Sequence, residues 1–256
     1  MEMRHRIVRF LMAAWLLGGF VFSAEKLTEE QMTAYRTRPA VVLIYSGMFI
    51  KVTLGNGQSF SVPNYGSGSG FFINSEGYLV TNGHVVASYV AYMNDKEGSS
   101  TKLMNQFIVQ KAKEEFQQSQ GREPDASELQ KAAERWVRIN EPSLSDHGTI
   151  NSIVMSNSET LRFEVKKYSP SVPEGGKDIA ILKVERENCP VIQLGDSSHL
   201  VLQQPVFTIG FPAVVDPGRF PLLGKENSLR SSITRGAISA LKTDYKGMSV
   251  IQHDSA

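Results

Sequence analysis

The chain has 256 residues, 41% of them hydrophobic and 21% charged, with a formal net charge of +1. That length can bury a substantial core, and the balanced charge excludes the clustered Lys/Arg excess of a nucleic-acid-binding surface. The single cysteine, Cys189, excludes an intramolecular disulfide; set beside Pro190 and Val191, it reads as a small buried hydrophobe rather than a reactive thiol.

Arg4, Arg6 and Arg9 precede an almost unbroken apolar stretch from Phe10 to Phe22. That stretch is shorter than the roughly 20 residues a membrane span needs. Residues 1–23 therefore read as a signal peptide, cut on either side of Ala24. The alternative is an uncleaved anchor, the one case in which the protein contacts a membrane. Both readings export the body of the protein, to a bacterial periplasm or cell envelope, where a domain without disulfides relies on its core. Three arginines and Glu2 leave with the signal, turning the net charge to −1.

Residues 24–39 form a lead-in. From Ala40 to Val86 short apolar and β-branched runs alternate with turn residues. Val41–Tyr45, Phe49–Leu54, Gly70–Ile73 and Tyr78–Thr81 read as strands, separated by turns such as Gly55-Asn56-Gly57 and Ser75-Glu76-Gly77. Gly66-Ser67-Gly68-Ser69-Gly70 reads as a close-packed turn. It is not a phosphate loop, because a strand and not a helix follows it.

The pattern breaks between about residues 96 and 140. Leu103, Phe107, Ala112 and Phe116 suit one helix face, with Gly121 as the stop. Asp125 and Glu128 have capping-box spacing, and Leu129, Ala132, Ala133, Trp136 and Val137 recur at helical intervals. This predicts an inserted helical hairpin, readable as a lid, an oligomer contact or a structural decoration. Strands resume at Ile150–Met155, Leu161–Val165, Ile179–Val184, Val206–Gly210, Ser231–Leu241 and Met248–Gln252. The domain plan is a first β-barrel over residues 40–188, carrying the insertion, and a partial second barrel over 189–256. The fold class is all-β with an α-helical insertion.

His84 and Asp178 are the candidate catalytic residues. His84 follows a strand among small residues and valines, where a lone histidine is often structural. Asp178 heads the apolar strand Ile179-Ala180-Ile181-Leu182, and an acid on the threshold of a buried strand needs donors. An imidazole N–H is one, and such an acid fixes the ring tautomer and stabilises the imidazolium. His147, His199 and His253 lack metal-ligand spacing and read as surface or loop residues.

Gly66 to Asn74 with Gly77 to Val86 resembles the histidine block of HtrA/Deg-type trypsin-like serine proteases. Asp178-Ile179-Ala180-Ile181-Leu182-Lys183-Val184 resembles their aspartate block. Gln193 to Ser198, Gln204 to Pro212 and Thr234 to Leu241 resemble the blocks that follow, in order. The resemblance implies a trypsin-like double β-barrel with its site in the crevice between barrels. It implies a serine endopeptidase acting on exposed or misfolded polypeptides, with no cofactor or metal, and a homo-oligomer, in this family a trimer. Residues 251–256 resemble the segment that leads into the family's nucleophile loop. That register expects the catalytic serine about six residues after Ala256, leaves the second barrel incomplete and the chain as given inactive. Ser197 and Ser255 stand in contexts similar to the Gly-Asp-Ser of the wider trypsin class, but neither is followed by the Gly-Gly that builds an oxyanion hole. The alternative reading is an inactive pseudoprotease that binds polypeptides or regulates a partner.

Overall fold

The computed structural model describes residues 26–211, 230–244 and 247–255. The predicted signal peptide, its cleavage position and Pro212 of the fourth resembling block lie outside the described residues. Contacts divide the chain between Thr33 and Ala34. Helix α1 (Glu29–Thr37) crosses that division.

Six strands close into an antiparallel barrel: β1 (Val41–Thr53), β2 (Ser59–Phe72), β3 (Tyr78–Thr81), β4 (Ser143–Val154), β5 (Thr160–Ser169) and β6 (Ile179–Val184), ordered β1-β2-β3-β6-β5-β4. Closure removes the unpaired edges that an open sheet exposes. Three further strands, β7 (Pro205–Gly210), β8 (Ser232–Thr243) and β9 (Ser249–His253), form a separate antiparallel sheet in that order. The second sheet is tied to the barrel by Phe211 N–H, which donates to Ser69 Oγ at 2.7 Å.

β1 is one continuous strand where the sequence suggested two runs. Val42, Ile44, Met48, Ile50 and Val52 all point inward and are buried. The glycine-serine stretch is also a correction: residues 66–70 lie inside β2, paired with Ser46 to Val42 of β1, and form no turn. The glycine there answers to packing. A Cβ on Gly68 would sit 2.5 Å from a methyl of Val85, so the strand passes this close only without a side chain.

The sequence reading missed helix α2 (Gly83–Asn94). Its valines and tyrosines favour strand by propensity, but Val85, Val86, Tyr89 and Tyr92 fall on one helical face and are buried. The first turns join the core of Val42, Ile44, Phe72 and Leu79, while Tyr92 joins a second core at the far end of β1. There Tyr92 Oη and His147 Nδ1 are 2.6 Å apart; His147 is the surface residue expected, placed in strand β4 rather than in a loop. His253 is likewise a surface residue, in strand β9.

The inserted hairpin is α3 (Lys96–Gln120) and α4 (Ala126–Asn140). Asp125 Oδ1 accepts from Glu128 N–H at 2.8 Å and Glu128 Oε2 from Asp125 N–H at 2.9 Å, completing the capping box. Leu103, Phe107 and Trp136 pack with Ile50, Val52 and Leu54 of the barrel. Each large side chain so buried contributes roughly 1.5–3 kcal/mol.

Candidate active site

Register builds the site. β3 and β6 run antiparallel with Thr81 opposite Ala180. The chain three residues past Thr81 therefore meets the chain two residues before Ala180, and those residues are His84 and Asp178. Thr81 Oγ1 anchors the end of β3 by donating to the Ser69 carbonyl at 2.8 Å. The approach is tight: a Cβ on Gly83 would lie 2.1 Å from the Ser169 carbonyl oxygen, so α2 can start here only with glycine.

Asp178 adopts φ 52°, a left-handed conformation that aspartate tolerates better than most residues. Its N–H donates to the Pro170 carbonyl at 2.8 Å, and the neighbouring Lys177 N–H donates to Ser169 Oγ at 2.7 Å. Thus fixed, the carboxylate sits at the N-terminus of α2. Oδ1 accepts from the His84 backbone N–H at 2.8 Å, and the His84 ring Nδ1 lies 2.9 Å from Oδ2 and 3.1 Å from Oδ1. A carboxylate only accepts at neutral pH, so Nδ1 carries the proton and Nε2 is left as the ring's lone-pair nitrogen. Nε2 makes no hydrogen bond among the described residues, and the imidazole is 64% exposed against 22% for the carboxylate.

Burial pushes the Asp178 carboxyl upward, but the His84 N–H, the His84 ring and the Asn82 amide together hold it below its ordinary value. A groove of about 570 Å³ opens beside it, walled by Val41, Phe71 and Ile179 of the barrel and by Phe207 and Ile209 of β7. Asp178 and Asn82 also line it, while His84 does not. A smaller cavity of about 270 Å³ between α3 and α4 touches neither residue of the pair.

The two serines of the Gly-Asp-Ser type stand elsewhere. Ser255 is buried, with its hydroxyl 2.6 Å from Thr208 Oγ1 and 2.6 Å from His253 Nδ1; no hydrogen bond joins it to His84. Asp196 accepts from Ser198 N–H at 2.9 Å at the start of a 3-10 turn, and Ser197 is an exposed turn residue. His199 Nε2 is 3.6 Å from Asp196 on the same turn. Cys189 is buried, which pushes its thiol up. Among the described residues no three His, Cys, Asp or Glu side chains gather as a metal-binding group. None of their helices is long and apolar enough to cross a membrane. Asn82, which carried no role in the sequence reading, donates from Nδ2 to Asp178 Oδ2 at 3.3 Å.

A closed antiparallel barrel that locks an imidazole to a carboxylate through Nδ1 and leaves Nε2 open is a scaffold for acid–base chemistry. The family model described as trypsin-like peptidase domain matches residues 68–256, and the chain belongs to that family. The family is one of peptidases. Similar solved structures include the HtrA-type protease AlgW with a decapeptide, at 17% identity and a TM-score of 0.46, covering 87% of this chain and 50% of that one. A serine-to-alanine variant of AlgW is similar with a tripeptide (17% identity, TM-score 0.45, 87% and 44% covered) and with a decapeptide (17%, 0.47, 89% and 51%). The chain spans about half the length of these proteins. Comparison with curated proteins finds no match.

Proposed function

We propose that this protein is an HtrA-type serine endopeptidase that hydrolyses exported or misfolded polypeptides, with His84 as general base and Asp178 as its orienting acid. The observation that carries the reading is the His84 Nδ1–Asp178 Oδ2 bond at 2.9 Å. It holds the tautomer in which Nε2 takes a proton from a nucleophile and returns it to the leaving amine. Neither Ser255 nor Ser197 is assigned as the nucleophile, because neither hydroxyl is hydrogen-bonded to His84. The Arg-led apolar start of the chain supports export to the periplasm or envelope, and the resemblance to HtrA/Deg proteases supports a homo-oligomer.

Purified native protein should cleave an unfolded polypeptide and react with a fluorophosphonate. His84→Ala should lower turnover by about 10⁴-fold or more with binding retained. Cleavage that survives His84→Ala overturns the assignment of the base. Binding of unfolded polypeptide with neither cleavage nor labelling in the parent protein replaces the reading with an inactive polypeptide-binding module.

A further inference from the structure

The residue before α2 does not do what its position prescribes. Asn82 has the extended conformation of an N-cap, with φ −69° and ψ 146°, yet its side chain makes no capping bond to its own helix. Asparagine at this position ordinarily accepts from an N–H in the first helical turn. Here Asp178, far along the chain, accepts the His84 N–H in its place, and the Asn82 amide turns away to Asp178. Nδ2 reaches the Asp178 backbone carbonyl at 3.4 Å and carboxylate Oδ2 at 3.3 Å. Both partners only accept, so the amide is oriented with its NH₂ toward them.

We propose that Asn82 is a positioning residue, a clamp that sets the Asp178 carboxylate against the His84 ring. The inference rests on the acid–base reading of that pair. The terminal torsion of an aspartate is broad, so a carboxylate held at one oxygen swings easily. The His84 N–H holds Oδ1. Asn82 holds Oδ2, the oxygen nearer Nδ1, while its second bond to the carbonyl of the same residue braces Asp178 at its backbone. Removing the amide leaves the ring and carboxylate joined at a hinge, and the bias for the Nδ1–H tautomer weakens.

Nitrogen-15 spectra of His84, taken at alkaline pH where the ring is neutral, read that bias directly. The parent chain is expected to show the Nδ1–H tautomer. Asn82→Ala should lower the Nδ1–H to Nε2–H ratio roughly three- to tenfold, the range expected for an ordinary hydrogen bond. Asn82→Asp is the decisive variant: it keeps the size and capping ability of asparagine and removes the donor. It should lower the ratio at least as far, and this arm stands if the alanine variant fails to fold. A parental ratio in Asn82→Asp overturns the clamp and leaves Asn82 as a cap only. A parent chain already lacking the Nδ1–H preference sinks the acid–base reading itself, so the two failures are told apart without any activity measurement.

Discussion

The two ends of the barrel share strand β1 but are held by different kinds of contact. At the site end, residues about ninety positions apart meet through four polar contacts of 3.3 Å or less and one glycine that admits no side chain. At the hairpin end, the join is area: Phe60 against Phe107 at 5.5 Å between ring centres, Phe107 against Trp136 at 5.9 Å, and aliphatic side chains around them. Apolar contact is non-directional and degrades in proportion to what is removed. Polar geometry at a backbone crossing fails with one methyl group. Chemistry is therefore expected to be brittle at one end and stability graded at the other, with α2 linking them.

The largest expected effect is that of Gly83→Ala. Its Cβ would meet the Ser169 carbonyl at 2.1 Å and lie 3.2 Å from Ile179 N, both backbone atoms that cannot rotate away. The start of α2 must move, carrying His84 from Asp178. Turnover should fall by about 10⁴-fold, comparable with loss of the orienting acid, and the nitrogen-15 spectrum of His84 should lose its Nδ1–H preference. A parental spectrum in this variant would show that the crossing is not tight. Trp136→Ala comes next, at about 3–5 kcal/mol in denaturant unfolding. It should leave the His84 spectrum unchanged in the folded state; a shifted ring would mean the two ends are coupled through α2. Asp125→Ala removes one half of the capping box and should cost about 1 kcal/mol, again with a silent His84.

The same contrast governs how much the sequence disclosed. Hairpin signals are local, so they were readable: Leu103, Phe107 and Ala112 are all buried at helical spacing, and the Asp125–Glu128 box is formed. β6 was legible at both ends because its apolar alternation is bounded by charge and by Asp178. Helix α2 was not, since β-branched and aromatic residues argued for strand and only burial against Gly68 and β1 decides otherwise. The glycine-serine run misled for a related reason: glycines that mark a turn locally serve here for close approach inside β2. The family resemblance singles out His84 and Asp178, whose side chains lie 2.9 Å apart. The function of Asn82 and the need for Gly83 depend on the β3–β6 register, which no local pattern carries.

The smallest expected effect, and the finest test of the contrast, is in acid titration. Each end has a carboxyl held below its ordinary value. Glu128 is lowered to about 2 by hydrogen bonds from Arg122 and from the Asp125 backbone N–H, and its partner guanidinium is 56% exposed. Asp178 is lowered by its His84 and Asn82 donors against the upward push of burial. A folded value below the unfolded one stabilises the protein above the ordinary carboxylate range. That contribution is lost as pH falls through the depressed value. Both losses therefore belong to strongly acid solution, and neither predicts a change near neutrality. They differ in their response to salt. At 1 M the screening length is about 3 Å, which weakens the Arg122–Glu128 pair of opposite charges more than hydrogen bonds from the uncharged Asn82 amide and His84 backbone N–H. Carbon-detected titrations in low and high salt should move the Glu128 midpoint up toward its ordinary value while Asp178 stays nearly fixed. Equal movement of the two would mean that Asp178 is held by net charge rather than by uncharged donors. The brittle geometry at His84 would then rest on an ion pair rather than on directional hydrogen bonds to the acid beneath it.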